Sequence, residues 1–236
     1  MPKAEIVKRE DITEDLWCIW LKPENAFPFK PGQYITIGVD GIERAYSIVS
    51  APTESAIELF IELVPEPDGE LTPLLYKLHK GDIVSMRPRA KGVFTLDANY
   101  KKHIFIATVT GVVPYISILR DYINQGYDGN KFYILDGASY HDEFVYDSEI
   151  DDMLKKSGDI ESFIPTVSRP TEEKNKEWAG ETGRVNKIVG KYVSEWNLES
   201  SDTLIYACGH PQMIEDVKDE FTPQGFTVKE ERFWKQ

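Results

Sequence analysis

The hydrophobic rhythm of the chain changes at Asp97–Lys102, and few folds accommodate both of its halves. Before that point, apolar residues come in short β-favouring runs near Glu5–Arg9, Leu16–Leu21, Tyr34–Val39, Ala45–Val49, Ile57–Val64 and Ile83–Arg87. Turn-forming stretches separate them, among them Pro28–Gly32, Asp40-Gly41, Ala51-Pro52 and Lys80–Asp82. Many short strands at such spacing predict a closed or nearly closed antiparallel barrel. Beyond Lys102, apolar runs at His103–Ala107, Phe132–Leu135, Ile160–Val167, Thr203–Cys208 and Phe226–Val228 read as buried parallel strands. Helical spacing fills the gaps near Pro114–Ile123, Glu143–Lys155, Val185–Val193 and Pro211–Phe221. That alternation predicts a parallel sheet covered on both faces, with ligands at the carboxyl ends of its strands. Two domains are expected, 1–98 and 99–236, with the crevice between them as the natural active site. The charged stretch Thr171–Trp178 is expected to be a solvated loop.

Composition narrows the function classes. A chain of 236 residues that is 41% hydrophobic and 12% aromatic can bury a real core. With 27 basic against 40 acidic residues, its formal net charge of −13 argues against general binding of nucleic acids or anionic membranes. A strongly acidic protein carrier would be repelled at long range unless positive charge is concentrated at its docking face. Cys18 and Cys208 make no disulfide framework or metal knuckle, and the four scattered histidines give a metal site little support. The start lacks an apolar signal segment and no run approaches membrane-spanning length, so a cytoplasmic protein is expected.

Within the first half, Arg44-Ala45-Tyr46-Ser47 places a cation, a ring and a hydroxyl inside a strand. Strand alternation puts Arg44 and Tyr46 on one face and Ser47 on the other. From the residues alone this is either an ordinary barrel strand with a snorkelling Arg or a platform for a flat, phosphorylated ligand. Further on, Gly69-Glu70-Leu71-Thr72-Pro73 opens a short helix with Thr72 expected as N-cap and Pro73 as first helical residue. A helix start of this kind suits a phosphate, although a plain capped helix reads the same way.

These residues resemble the ferredoxin/flavodoxin–NADP reductase family, bacterial type. Arg44-Ala45-Tyr46-Ser47 is similar to its flavin-binding R-x-Y-S motif, and Pro31-Gly32-Gln33-Tyr34 to the stretch leading into the preceding strand. The resemblance implies that Arg44 holds the phosphates of FAD, Tyr46 packs on its ring and Ser47 lies near its reactive nitrogen. It also implies that Ala45 belongs to the cofactor site, that Gly69, Leu71 and Thr72 form the flavin pyrophosphate loop, and that Gly92 lies in the closing turn before the second domain. The implied architecture is an N-terminal antiparallel Greek-key β-barrel followed by a Rossmann-like parallel sheet covered by helices.

The second half carries matching motifs in family order. Thr108-Val109-Thr110-Gly111-Val112-Val113-Pro114 resembles the nicotinamide-dinucleotide loop T-G-T-G-[IV]-[AS]-P, with Thr110, Gly111 and Pro114 as its binding positions. Small residues are needed there because backbone N–H groups must approach a pyrophosphate. This chain has Val109 where the family has Gly, and a β-branched residue at positive φ would be strained. Ser168-Arg169 and Gly183-Arg184 resemble the hydroxyl–Arg pair and later Gly-Arg that bind the 2′-phosphate of NADP(H), a task suited to guanidinium. Cys208-Gly209-His210-Pro211-Gln212-Met213 is similar to C-G-x-P-x-M, which implies cofactor roles for Gly209, Pro211 and Met213. Taken alone, Cys208 would be an inert buried thiol; the resemblance gives it a place in shaping hydride transfer, not as a nucleophile. At the end, Glu231 is implied in proton balance, and either Phe233 or Trp234 covers the flavin, although both serve equally as core anchors.

The expected function is hydride transfer between NADP(H) and FAD, with single electrons passing to or from ferredoxin or flavodoxin, in a monomer. The catalytic candidates are Ser47, Cys208 and Glu231. Two alternatives stay open: a reductase serving an oxygenase or another acceptor, and a flavin-binding protein without turnover.

Overall fold

A computed structural model describes residues 2–232, so Phe233 and Trp234 lie outside the described residues. By contacts the chain divides into two compact units: Met1–Leu96 with Val113–Gln125, and Asp97–Val112 with the chain from Gly126 onward.

The first unit holds six strands: β1 Lys3–Asp11, β2 Leu16–Pro23, β3 Tyr34–Val39, β4 Ile42–Ser47, β5 Ile57–Glu62 and β6 Ile83–Met86. They form one antiparallel sheet in the order β4-β3-β6-β1-β2-β5. Among the described residues no ladder joins the two edge strands; two residues past the end of β4, Val49 N bonds Glu58 O of β5 at 3.0 Å. The alternation in the sequence is the inner face of this barrel-like sheet. Trp17, Ile19 and Leu21 meet Ile35, Ile37, Leu59, Ile61 and Val84 in a single core. β4 starts earlier than its apolar run predicts, because Asp40 (φ 52°) and Gly41 (φ 84°) make a two-residue hairpin that pairs Val39 directly with Ile42. It also ends earlier, at Ser47, whose pairing with Tyr34 is closed by the bond from Ile48 N to Gln33 O at 3.0 Å. The short helix α1 spans Thr72–Tyr76.

The second unit is a parallel sheet of β7 Lys102–Thr108, β8 Lys131–Ala138, β9 Ile160–Val167, β10 Glu181–Thr182, β11 Thr203–Gly209 and β12 Thr227–Arg232. Its order is β10-β9-β8-β7-β11-β12. From β7 the chain runs outward through β8 and β9, then returns to β11 on the other side. The carboxyl ends of β7 and β11 therefore form a topological switch point. One face packs Ile104, Ile106, Leu135 and Ile205 under two helices separated in sequence from α2 Val113–Asn124 and α3 Asp147–Lys156. These are α4 Val185–Glu195 and α5 Pro211–Phe221, which contribute Val189 and Ile214 among others. The opposite face is aromatic: His103 stacks on Phe132 at 5.3 Å, and Phe105 meets Tyr206 edge-on at 5.2 Å. Burial pushes the His103 pKa down to about 4, so the ring is a neutral part of this layer.

The charged stretch after β9 is only partly the solvated loop its composition predicts. Glu172, Glu173 and Lys174 are exposed, but Asn175 is buried and Trp178 packs on Phe144 at 5.6 Å. No described helix is long and apolar enough to cross a membrane.

Candidate cofactor sites

In the first unit, β4 presents Arg44 and Ala45 to solvent, half-buries Tyr46 against the barrel core and buries Ser47. Burial raises the Tyr46 phenol well above its ordinary pKa, partly opposed by the neighbouring Arg44 charge, so the ring is a neutral surface. Tyr34 is paired with Ser47 across the hairpin and also bridges Lys91, with N–O distances of 2.8 and 3.0 Å. That bridge holds the Gly92 turn beside β3 at the level of Ser47. Gln33 locks the arrangement: its Oε1 accepts from Lys30 N at 2.9 Å, and its Nε2 donates to Gly92 O at 3.1 Å.

Arg44 forms an ion pair with Glu70, which brings the Gly69–Thr72 segment to the same strand. A Cβ on Gly69 would overlap the Val64 carbonyl, whose carbon would lie 2.6 Å away, so only glycine fits. The expected cap is corrected. Leu71, not Thr72, occupies the N-cap position of α1, and Thr72 is the first helical residue. The Thr72 hydroxyl instead joins Val64, accepting from its N at 3.0 Å and donating to its O at 2.9 Å. The Leu71 side chain lies in the barrel core. This segment therefore offers a phosphate backbone N–H groups rather than a side-chain hydroxyl. Sequence reasoning misses Gln33 and Glu70, because only the ladder and the ion pair show what they join.

In the second unit, the loop after β7 is a 3₁₀ turn, Val109–Val112. Val109 has φ 47°, the left-handed conformation at which a β-branched residue is strained. Its side chain packs against a small apolar cluster of Ala138, Phe144 and Val167, which Trp178 also joins. Gly111 stands hard against β11: a Cβ there would overlap the Cys208 carbonyl, with the carbonyl carbon at 2.7 Å and Gly209 Cα at 3.0 Å. Thr108 Oγ1 accepts from His210 N at 2.8 Å, and His210 Nδ1 caps α5 by accepting from Gln212 N at 3.1 Å. Pro211 is the first residue of α5, while the Met213 side chain lies in the core beneath it. Thr110 is half-buried beside Gly111, and Pro114 lies in α2, which by its contacts belongs to the first unit.

Cys208 is fully buried and stands in register between Ala107 of β7 and Glu231 of β12. Burial pushes its thiol well up, and the Glu231 charge adds to the effect, so the group is a neutral thiol and no nucleophile.

The arginine pair is assembled by β10. Thr182 pairs with Val167, and the chain then leaves both strands within two residues, at Arg169 and at Arg184. Ser168 is held there by its N bonding Ala138 O at 2.9 Å. The long spacing between the arginines is a loop whose two ends the sheet rejoins. Asn175 fixes that loop: its Oδ1 accepts from His141 N at 3.0 Å, and its Nδ2 donates to Ser139 O at 2.9 Å and Arg169 O at 3.0 Å. Neither Asn175 nor Tyr140, whose hydroxyl accepts from Arg169 Nη1 at 2.9 Å, is visible as a functional residue in the sequence.

On β8, Asp136 is buried with Oδ1 unpartnered among the described residues. Desolvation raises its pKa well above the ordinary carboxylate range, and the nearby Asp147 charge adds to it. A carboxyl held protonated by the fold contributes its full stability below its unfolded pKa and loses it as pH rises through the folded value. Asp136→Asn is expected to match wild type in urea unfolding near pH 4 and to exceed it at pH 8. A difference that does not change with pH would refute that account of the site.

The residues fit both cofactors. An exposed guanidinium, a small exposed residue, a half-buried ring and a buried hydroxyl follow one another on β4, as FAD requires. The overlap at Gly111 is with Cys208 of the same chain, so the missing side chain lets the loop after β7 lie directly against the end of β11, at the switch point where a dinucleotide would bind. Residues 3–94 match the family described as the oxidoreductase FAD-binding domain, and residues 105–219 the oxidoreductase NAD-binding domain. The flavodoxin/ferredoxin–NADP reductase of Buchnera aphidicola is 30% identical over 233 residues, covering 90% of this chain and 87% of the relative. The phenol 2-monooxygenase reductase component DmpP of a Pseudomonas species is 26% identical over 209 residues, 87% of this chain and 57% of its own. A crystal structure of ferredoxin NADP+ reductase from Neisseria gonorrhoeae with bound FAD and NADP superposes with a TM-score of 0.82 at 21% identity, covering 98% of both chains. Both halves, in the same order and over nine-tenths of the chain, thus match one kind of enzyme, and the chain belongs to the flavodoxin/ferredoxin–NADP reductase family of FAD- and NAD(P)-binding oxidoreductases.

Proposed function

We propose that the protein carries hydride between NADP(H) and FAD and exchanges single electrons with a small protein carrier, ferredoxin or flavodoxin. The observation that supports this reading is the β9–β10 pairing, from which the chain segments carrying Ser168 and Arg169 and carrying Arg184 emerge side by side at the carboxyl side of the parallel sheet. When bound, FAD supplies the chemistry that joins a two-electron donor to a one-electron acceptor. The chain supplies position and charge. Arg44 and the Gly69–Thr72 backbone hold phosphates, Tyr46 packs on the ring, Ser47 offers its hydroxyl near the reactive nitrogen, and Ala45 and Gly92 give room beside it. Thr110, Gly111, Pro114, Gly209 and Pro211 shape the dinucleotide loop. The neutral Cys208 thiol fills space beside the nicotinamide, and Glu231 holds or releases the balancing proton.

Val109 tempers the dinucleotide side. A β-branched residue at this φ costs roughly 1–2 kcal/mol, while Val109→Gly loses apolar contact and makes the unfolded chain more flexible. The variant is therefore expected to keep wild-type stability within about 1 kcal/mol and to bind NADP+ several-fold tighter. An unchanged or weaker dissociation constant counts against the idea that Val109 obstructs the loop.

The test of the function is an anaerobic titration of the flavin-loaded protein with NADPH, followed by the visible absorbance of the flavin. Prompt bleaching, and reoxidation by ferredoxin or flavodoxin, supports the proposal. A flavin that stays yellow favours the binding protein without turnover, for which the strained Val109 is the specific observation. Bleaching without transfer to either carrier favours the reductase of an oxygenase system, as in the relative from Pseudomonas.

A further inference from the structure

Arg169 is already engaged. Besides donating to the Tyr140 hydroxyl, it faces Glu172 Oε1 at 3.7 Å, and the Tyr140 hydroxyl donates to the other oxygen of the same carboxylate. The Arg169 guanidinium lies 5.4 Å from the centre of the Tyr140 ring, and Lys174 Nζ lies 4.8 Å from it. Lys174 is itself paired with Asp142 at 3.4 Å.

The carboxylate is held there by the backbone. Glu172 N bonds Arg169 O at 3.2 Å, Asn175 N bonds Glu172 O at 2.9 Å, and the buried Asn175 side chain ties this turn to Ser139 and His141. With the loop ends rejoined by β10 and a buried amide at its centre, the Glu172 backbone stays beside Arg169, so its carboxylate remains within reach whichever rotamer it takes. An arriving phosphate dianion would have to displace a carboxylate from the arginine that would bind it, and then sit beside that carboxylate. A ribose with a free 2′-hydroxyl meets the opposite situation, because it donates a hydrogen bond to the same carboxylate.

We propose that Glu172 is a specificity-determining residue: an internal anion that competes with the 2′-phosphate for Arg169 and Tyr140, drawing the protein's preference from NADP(H) toward NAD(H). This rests on the reading of Arg169 as a phosphate-binding residue. Glu172 touches neither the flavin motif nor the nicotinamide loop, so its effect is on discrimination between dinucleotides and not on the transfer itself.

Calorimetric titration of the FAD-loaded protein with 2′,5′-ADP and with 5′-AMP separates the two ideas without any redox readout. Glu172→Gln keeps the length and an acceptor for Tyr140 while removing the charge. It is expected to tighten 2′,5′-ADP about tenfold, the scale of one like-charge contact at a half-exposed site, and to change 5′-AMP less than about twofold. Arg169→Ala is expected to weaken 2′,5′-ADP by about tenfold and leave 5′-AMP alone. If Arg169→Ala weakens 2′,5′-ADP but Glu172→Gln leaves the ratio of the two ligands unchanged, the role of Glu172 is overturned and that of Arg169 stands. If Arg169→Ala changes neither ligand, the phosphate reading of the corner falls and the inference with it.

Discussion

Gly111→Ala is expected to unfold about 3 kcal/mol more easily than wild type and to lose measurable affinity for nicotinamide dinucleotides while still retaining FAD. The added methyl meets the carbonyl of Cys208, with the carbonyl carbon at 2.7 Å. That group cannot rotate away as a side-chain tip would, because Cys208 is in ladder register with both Ala107 and Glu231. Either the 3₁₀ turn or the end of β11 must shift, and both form the switch point at which the dinucleotide loop lies. Overpacking of this kind typically costs about 1–3 kcal/mol, and a clash with paired backbone lies at the upper end. Gly158→Ala is the control, since a Cβ there meets nothing within 4 Å and φ is not left-handed. Its stability is expected to stay within about 0.5 kcal/mol of wild type. Urea midpoints and an NADP+ titration of the three proteins decide the matter; a Gly111→Ala midpoint equal to that of wild type would show that the strand end is softer than its pairing implies.

Asn175→Ala is expected to cost about 2–3 kcal/mol, because its bonds to the His141, Ser139 and Arg169 backbone vanish at once, at roughly 1 kcal/mol each. The bonds tie the loop to two places: Ser139 and His141 after β8, and Arg169 after β9. Losing them frees the segment between Arg169 and Glu181, so trypsin should cut after Lys174 or Lys176 much faster than in wild type. Asn175→Asp keeps the acceptor for His141 N but sets a buried carboxylate oxygen against the Ser139 and Arg169 carbonyls, and should cost at least as much as Asn175→Ala. Proteolysis at the wild-type rate in Asn175→Ala would mean that the Trp178–Phe144 contact alone holds the loop.

What the sequence reveals and what it hides follow from the range of the interactions. The inner face of the barrel is legible because alternation in Trp17, Ile19 and Leu21 is a local property. Helix α5 is legible because Pro211 and the apolar spacing after it are local too. The ends of β4 are less so: the hairpin at Asp40-Gly41 overrides the apolar run at one end, and at the other the ladder closes at the Ile48 N–Gln33 O bond although the apolar run continues to Val49. The motifs point to candidate cofactor loops, yet motif letters are not contacts. Leu71 and Met213 turn inward to the core, and the Thr72 hydroxyl serves Val64. Asn175 is hidden among charges that read as solvated, and the two-residue strand β10, which joins the arginine corner, has too little pattern of its own to be seen. Each of these depends on partners distant in sequence.

Arg44 and Arg169 share a circumstance: each holds a carboxylate of its own chain, Glu70 in one unit and Glu172 in the other. In a molecule of formal net charge −13, two of the guanidiniums proposed to read phosphates are thereby paired within the chain and do not act as bare positive wells. On that reading, loading would exchange one anion for another, the released charge staying tethered nearby instead of diffusing off as a counterion. Selectivity would be decided at contact range, by whether the incoming group fits better than the carboxylate already in place.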